Sequence, residues 1–280
     1  MHLLFSMVMS LLGLQPTADA GAARDTLTID LGSDEPRRWA GMPTVSGSRN
    51  PARPLVVIDP GHGGRDPGAI SPFAARREKD VTLALARAIR AALEKSGRVR
   101  IALTRDDDRF LVLRDRYEIA RRLGADLFIS VHADASPSND AARGATIYTL
   151  SEVASDREAA LIARQQNASD RIGGARLSED QGVNRILIDL AQRDSMDVSA
   201  GFASLVGRES GFPMQEDFHR FAALVVLKAP DIPSVLFESG YLTNASDAAY
   251  IDSAEGRGAI AAGLTRAIET HFARRLIGGR

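Results

Sequence analysis

From residue 54 onward, short apolar runs alternate with stretches whose apolar residues recur every three or four positions. The short runs, which are typical of buried strands, are residues 55–58, 99–103, 127–131, 145–150, 222–227 and 234–237. The helical stretches are residues 81–93, with Asp80 as the predicted cap and Gly97 as the predicted end, and residues 113–123 and 254–276. This alternation predicts a single α/β domain with a twisted, mostly parallel sheet flanked by helices.

One interval, residues 151–210, breaks the alternation. It contains no convincing strand, but it has helix signals at residues 157–168 and 183–192. We therefore predict a helical insertion between two strands. Insertions of this length are usually functional or regulatory, or else mobile.

The N-terminal segment has the pattern of a secretory signal peptide. Residues 3–14 are almost wholly apolar, which is too short a run to span a bilayer as a helix, and Ala18-Asp19-Ala20 is a cleavage pattern. We expect a signal peptide at residues 1–20, cleaved near Ala20, and a periplasmic or secreted protein. A buried N-terminal helix is the alternative, because His2 is the only basic residue before the apolar run.

Residues 21–53 are rich in Gly, Ser, Pro and Arg and are predicted to be a linker or leader. Residues 54–280 then form the predicted catalytic domain. No later segment has the length and apolarity of a transmembrane helix.

Composition excludes several classes of site. With 35 Lys+Arg against 36 Asp+Glu, the net charge is −1, and no basic run is present, so nucleic acid is not an expected partner. The chain has no cysteine, which excludes disulfides, thiolate zinc sites and cysteine nucleophiles. Any metal must therefore be held by histidines and carboxylates.

Ionisable side chains follow three of the predicted strands. His62 lies shortly after strand 55–58, and His132 and Glu238 come directly after their strands. Because ligands collect at the carboxyl edge of an α/β sheet, we expect these side chains to lie close together. Two histidines and a carboxylate with one open position suit catalytic zinc, so we predict His62, His132 and Glu78 as ligands and Glu238 as general base for zinc-bound water.

Single residues and other motifs give weaker evidence than the combination of His62, Glu78, His132 and Glu238. Each of these residues alone has a simpler explanation: a histidine after a strand is commonly a polar loop residue, and Glu78 is also suited to a helix N-terminus. The glycines around His62 lack the lysine of a phosphate loop, and the serine-hydrolase and His-Glu-x-x-His motifs are missing. His219 and His271 are interpreted as structural or surface residues.

Four motifs occur in order along the chain: VIDPGHGGRDPGA at 57–69, EKD at 78–80, SVHAD at 130–134 and FESGYLTN at 237–244. Across residues 54–275 the chain resembles the zinc N-acetylmuramoyl-L-alanine amidases of the Amidase_3 type. The resemblance implies one zinc ion held by His62, Glu78 and His132, with Glu238 as the catalytic acid/base. It also implies hydrolysis of peptidoglycan between N-acetylmuramic acid and the L-alanine of the stem peptide. Arg105 and Asn244 match recurring family positions, but the sequence assigns them no role.

The insertion resembles the cell-division branch of this family at residues 154–160 and 184–190. The resemblance implies daughter-cell separation and a helix over the active site, whose glutamate occupies the open metal position until a LytM-type activator displaces it. Glu158 is the candidate for this autoinhibition, and Glu152 is the second. The alternative for Glu158 is a capping box, in which it bonds back to the backbone of Ser155.

Two other functions remain open. A zinc peptidase would cut peptide–peptide bonds within the stem, and a catalytically inactive module would only bind the wall or regulate another protein. The presence of all the ligands together with Glu238 favours the enzyme.

Overall fold

Seven strands form one sheet in the computed structural model, which describes residues 41–73, 75–136, 139, 141–172 and 185–277. The strands are β1 (Ser46–Gly47), β2 (Leu55–Pro60), β3 (Arg100–Leu103), β4 (Leu127–Asp134), β5 (Ala145–Leu150), β6 (Met214–Ala222) and β7 (Ser234–Tyr241). They lie in the order β1-β3-β2-β4-β7-β5-β6. The β1–β3 and β5–β7 pairs are antiparallel and the others are parallel, so the mostly parallel sheet is confirmed.

Helices cover both faces of the sheet. They are α1 (Glu78–Ser96), α2 (Leu113–Leu123), α3 (Arg157–Asn167), α4 (Ser169–Ile172), α5 (Arg185–Glu209), α6 (Ala245–Asp252) and α7 (Ala254–Ile277), with a 3₁₀ turn at Val225–Leu227. Helices α1, α5 and α7 pack on one face, and α2, α3 and the 3₁₀ turn pack on the other. The described residues belong to one compact unit, which confirms a single α/β domain.

The central strands are apolar on both sides because both faces are covered. In β2, Val56 and Ile58 enter the core under α1, while Leu55 and Val57 enter the core under α2. All four side chains are fully buried. This continuous burial is expected of parallel strands with helices on both faces, and it fixes the strand ends that carry the site.

Two predicted elements are wrong. Residues 222–227 are not a strand: β6 ends at Ala222, and Val225–Leu227 form a 3₁₀ turn. Strand β6 is an edge strand rich in polar residues, so it lacks the apolar signature of the central strands. Helix α1 begins at Glu78, and Asp80 lies within its first turn instead of capping it. The predicted end at Gly97 is confirmed, since Gly97 has the left-handed φ of 64°.

The described part of the insertion is helical in α3, α4 and α5, while residues 151–156 form a loop that leads into α3. The second predicted helix, 183–192, is observed from Arg185 and continues to Glu209. Residues 173–184 and the predicted signal peptide lie outside the described residues. Strand β1 lies within the segment that was predicted to be a linker. No helix among the described residues has the length and apolarity needed to cross a bilayer.

Candidate metal centre

The loop after β2 carries the first predicted ligand. His62 has a φ of 59°, the left-handed conformation that costs a residue with a side chain roughly 1 kcal/mol. Two contacts support it: the guanidinium of Arg116 donates to the His62 carbonyl at 2.8 Å, and Nδ1 of His62 lies 2.8 Å from Oδ2 of Asp66. These contacts fix the orientation of the ring, with Nε2 on the edge that faces away from Asp66.

Glycines leave room for the ligands. A Cβ on Gly61 would lie 2.2 Å from Cε1 of His132, and a Cβ on Gly68 would lie 2.6 Å from Oε2 of Glu78. Since neither approach is possible with a larger residue, the glycines let the loop backbone pass against two ligand side chains. This is the structural reason for the glycine-rich motif around His62.

The three predicted ligands meet at one point. Oε1 of Glu78 lies 3.0 Å from Nε2 of His62 and 3.0 Å from Nδ1 of His132. The side chains are 0–6% exposed, and a ligand atom from each lies within 4.8 Å of the others. Donors around tetrahedral zinc are about 3.3 Å apart. The two 3.0 Å separations from Oε1 of Glu78 are close to this value.

The donor atoms and their hydrogen bonds also suit a metal ion. Nε2 of His62 is buried and faces Oε1 of Glu78 at 3.0 Å, but its geometry is poor for a hydrogen bond to any of the described residues, so the atom is placed to bind an ion. The backbone amides of Ala133 and Ala69 donate to Oε1 and Oε2 of Glu78 at 3.1 and 2.8 Å. These bonds hold the carboxylate in one orientation, and Asp66 does the same for the imidazole of His62.

The buried charges of this site act on one another. Burial alone would lower the pKa of His62, but the negative charge of Glu78 and the bonds to Asp66 and Glu78 raise that pKa to about 9. Burial would raise the pKa of Glu78, but the two imidazoles lower it. Burial lowers the pKa of His132. Without a metal, the site therefore contains the anionic carboxylate of Glu78, which attracts a positive charge, either a proton or a metal ion.

Glu238 lies beside this centre. It pairs with His132 in the register of β4 and β7 and is 1% exposed. Neither carboxylate oxygen has a hydrogen-bond partner among the described residues. Burial, with added repulsion from Asp134 and Glu78, raises the pKa of Glu238 well above its ordinary value. Burial likewise raises the pKa of Asp134 to about 8. A carboxyl group whose pKa is raised in this way, as in Glu238, can accept and release a proton near neutral pH.

Sequence reasoning missed a buried polar network beneath the loop. Asp59 is fully buried and accepts bonds from Arg116 at 3.1 Å, Thr104 at 2.5 Å and Ser130 at 2.7 Å. Burial opposes ionisation of Asp59, but Arg116 and the two hydroxyl donors lower its pKa. An aspartate inside the Asp-Pro-Gly-His run was visible in the sequence, but its partners come from three other segments.

Arg105, which had no assigned role, is fully buried. Its guanidinium donates to the carbonyls of Pro60 at 3.0 Å, Gly61 at 2.7 Å and Lys79 at 2.9 Å. It therefore ties the residues just before His62 to the residue just after Glu78. Asn244 caps α6, where its side chain accepts from the amides of Ser246 and Asp247.

The two other histidines among the described residues lie in structural contacts. His219 lies on β6, where its Nε2 is 3.0 Å from Oγ1 of Thr149. His271 is buried on α7 against the rings of Phe202 and Phe272. Burial and the nearby Arg275 lower its pKa to about 4, so it is neutral at pH 7.

The regulatory candidates are placed differently. Oε2 of Glu158 accepts from Arg220 at 2.7 Å, and Oε1 accepts from the Tyr241 hydroxyl at 2.9 Å. The capping box is wrong: Asp156 caps α3 through the amide of Ala159, and the Ser155 amide donates to Phe221. Glu152 is exposed in the loop before α3.

Comparison with known proteins identifies the family. Residues 56–270 match Amidase_3, the N-acetylmuramoyl-L-alanine amidases. The amidase AmiA of Salmonella typhimurium is 35% identical over 93% of this chain and 88% of its own length. AmiC of Escherichia coli O6:H1 is 35% identical over 87% of this chain, which spans only 58% of that protein.

A solved structure agrees. The N-acetylmuramoyl-L-alanine amidase AmiC2 of Nostoc punctiforme superposes with a TM-score of 0.57 at 27% identity, over 81% of this chain and 100% of that one. Together with the match over residues 56–270, this shows that the chain belongs to the Amidase_3 family of N-acetylmuramoyl-L-alanine amidases.

Proposed function

We propose that this chain hydrolyses the amide bond between the lactyl group of N-acetylmuramic acid and the L-alanine of the peptidoglycan stem peptide. The proposal includes one zinc ion per chain, held by His62, Glu78 and His132. One observation carries it: two imidazoles and a carboxylate converge within 4.8 Å, beside the carboxylate of Glu238, which has no hydrogen-bond partner among the described residues.

A zinc ion at this position supplies Lewis acidity, which lowers the pKa of water towards about 7 and polarises the scissile carbonyl. Glu238 acts as the base that takes a proton from the attacking water, and it then passes that proton to the departing nitrogen of L-alanine. Its buried setting, next to Asp134 and Glu78, raises its pKa. Glu238 is therefore able to hold the proton between the two transfers.

The test is digestion of purified peptidoglycan sacculi by the wild-type chain and by Glu238→Gln. We expect Glu238→Gln to lose activity by roughly 10²–10⁴-fold, because general acid–base catalysis contributes about that much. Its zinc content should stay near one ion per chain. Glu216→Gln is the matched control, since Glu216 is exposed on β6, and it should retain full activity.

Mass spectrometry of the products identifies the bond. An amidase releases intact stem peptides with a free L-alanine amine, and a chelator abolishes the release until zinc is restored. Fragments cut within the stem would identify a peptidase instead. Sacculi that remain intact with zinc-loaded wild-type protein would indicate a binding or regulatory module, and either result overturns the proposal.

We also propose that the enzyme is autoinhibited by its helical insertion, is released by a LytM-type activator and serves daughter-cell separation. The support is the resemblance of the insertion to the cell-division branch and the AmiA and AmiC relatives. Glu158, and after it Glu152, are the proposed regulatory residues. For Glu158 to reach the metal, its bonds to Arg220 and Tyr241 must break.

The proposed location is the periplasm or the exterior, after removal of residues 1–20. Its support is the apolar run followed by Ala18-Asp19-Ala20. N-terminal sequencing of the exported protein should begin at residue 21. Retention of residues 1–20 in the mature protein would contradict this location.

A further inference from the structure

The helical insertion touches the support of a proposed metal ligand. Ser169, the first residue of α4, is 3% exposed, and its hydroxyl donates to Oδ2 of Asp66. The same oxygen lies 2.8 Å from Nδ1 of His62. One buried carboxylate oxygen therefore joins the insertion to the imidazole.

The next residue makes a second contact of the same kind. Oδ1 of Asp170 accepts from the amide of Leu113 at 2.8 Å. Leu113 is the first residue of α2, whose N-cap residue Val112 makes no side-chain bond, so the carboxylate satisfies an open amide at the positive end of the helix. Helix α2 in turn holds the loop, because Arg116 donates to the His62 carbonyl at 2.8 Å.

We propose that Ser169 is a positioning residue for His62, acting through Asp66, so that the docked insertion forms part of the metal site's support. Asp66 is fully buried, and its other oxygen accepts from the Gly68 amide at 3.1 Å. The Ser169 hydroxyl, the Gly68 amide and the His62 imidazole together fix the Asp66 carboxylate in one rotamer. That rotamer holds the imidazole of His62 in one orientation, with Nδ1 towards Asp66 and Nε2 towards Glu78.

Removal of the Ser169 hydroxyl frees one lone pair of Asp66 and leaves space beside it. The carboxylate then gains freedom to turn, and the imidazole loses its fixed orientation. Loss of a partner that bonds a ligand directly weakens metal binding about 10–100-fold. Since Ser169 acts one bond further away, we expect Ser169→Ala to weaken zinc binding by roughly 3–10-fold.

The experiment measures the zinc Kd of the full chain by competition with a chromophoric chelator. Ser204→Ala is the matched control, because Ser204 is an exposed helical serine whose hydroxyl bonds the Ala200 carbonyl of its own helix. Its Kd should stay within twofold of wild type. The visible spectrum of the Co²⁺-loaded protein should change in Ser169→Ala and remain unchanged in Ser204→Ala.

A double-mutant cycle tests the route through Asp66. In an Asp66→Ala background, Ser169→Ala should weaken zinc binding no further, because the link is already broken. By reciprocity, zinc should slow hydrogen exchange in residues 157–172 of the wild type more than in Ser169→Ala. Asp66→Asn gives a second measurement from the other end of the bond, should Ser169→Ala fold poorly, and it should also weaken binding.

The inference rests on the proposed metal site, but the two fail differently. A wild-type chain that binds no zinc overturns the proposed function and this inference together. A wild-type chain that binds zinc, with Ser169→Ala folded and within twofold of its Kd, overturns only the role of Ser169. Losses that simply add in the double mutant also overturn it, because they show that Ser169 acts by another route.

Discussion

Glu158 and Arg220 form an ion pair, with Oε2 of the carboxylate 2.7 Å from Nη1 of the guanidinium. The pair joins α3, the first helix of the insertion, to β6 at the edge of the sheet. The hydroxyl of Tyr241, three residues beyond Glu238 on β7, binds the other oxygen of Glu158. The insertion is thus fastened to the same strand that carries the proposed base.

We predict that Glu158→Ala and Arg220→Met both raise basal hydrolysis of sacculi, because each breaks this pair. A partly exposed ion pair contributes up to about 1 kcal/mol, so the rise should be up to about fivefold. If Glu158 is the regulatory residue, Glu152→Ala should leave the rate unchanged, since Glu152 is exposed outside the pair. A rise in Glu152→Ala alone would assign the role to Glu152.

The same measurement separates two kinds of inhibition. If Glu158 acts only by occupying the metal, Glu158→Ala is activated and Arg220→Met is not, because Arg220→Met frees Glu158 to reach the ion. Unchanged hydrolysis in a folded Glu158→Ala protein contradicts both. The assay measures the rate at which dye is released from labelled sacculi at a fixed enzyme concentration.

The metal-free protein should lose stability as the pH rises from 6.5 to 9. The folded-state pKa of His62 is raised from 6.5 to about 9, and that of Asp134 is raised from 3.8 to about 8. The folded chain therefore binds more protons than the unfolded chain over this range, so the free energy of unfolding falls with pH. We expect the Tm of the metal-free protein to fall by about 5 °C between pH 6.5 and 9.

Zinc should reverse this trend. The ion replaces the proton on His62, so the gain in Tm on adding zinc should increase from pH 6.5 to 9. Scanning calorimetry with and without chelator measures both effects. A metal-free Tm that is constant across this range would show that His62 is already neutral at pH 7.

Gly61→Ala should damage the metal site although its backbone conformation tolerates alanine. The new methyl group would lie 2.2 Å from Cε1 of His132, so the imidazole must move. We expect zinc binding to weaken by more than about tenfold and the free energy of unfolding to fall by about 1–3 kcal/mol, as overpacking usually costs.

Gly258→Ala is the matched control for Gly61→Ala. Gly258 lies within α7, and a Cβ there meets nothing within 4 Å. That variant should bind zinc normally and be equally or slightly more stable, because alanine favours a helix by up to about 1 kcal/mol. A Gly61→Ala protein with wild-type zinc affinity would mean that the backbone yields instead of the ring.

Arg105→Lys should destabilise the protein although it keeps the charge. The fork of Arg105 reaches the carbonyls of Pro60, Gly61 and Lys79 together, and a lysine ammonium cannot reproduce this planar arrangement. We expect a loss of about 2–4 kcal/mol in urea unfolding, since each unsatisfied buried group costs about 1–3 kcal/mol.

Arg98→Lys is its control, because Arg98 is 69% exposed and forms a 3.4 Å ion pair with Glu269. It should change stability by less than about 0.5 kcal/mol. Equal stability of Arg105→Lys and Arg98→Lys would show that water replaces the lost donors.

The sequence was informative where a local rule determines the position of a residue. His62 and His132 follow strands buried on both faces, and parallel strands bring their carboxyl ends to one edge. Strand β6 was missed because its polar residues at the sheet edge give no apolar run. The link from Ser169 through Asp66 to His62 was also not predictable, because it depends on how segments 103 residues apart dock.

Order along the chain has a consequence for synthesis. All three proposed zinc ligands precede residue 135, and β3, β2 and β4, which pair side by side, have then all been translated. Strand β7 emerges from the ribosome a hundred residues later. A nascent polypeptide therefore contains every proposed zinc ligand well before it contains Glu238, the proposed base.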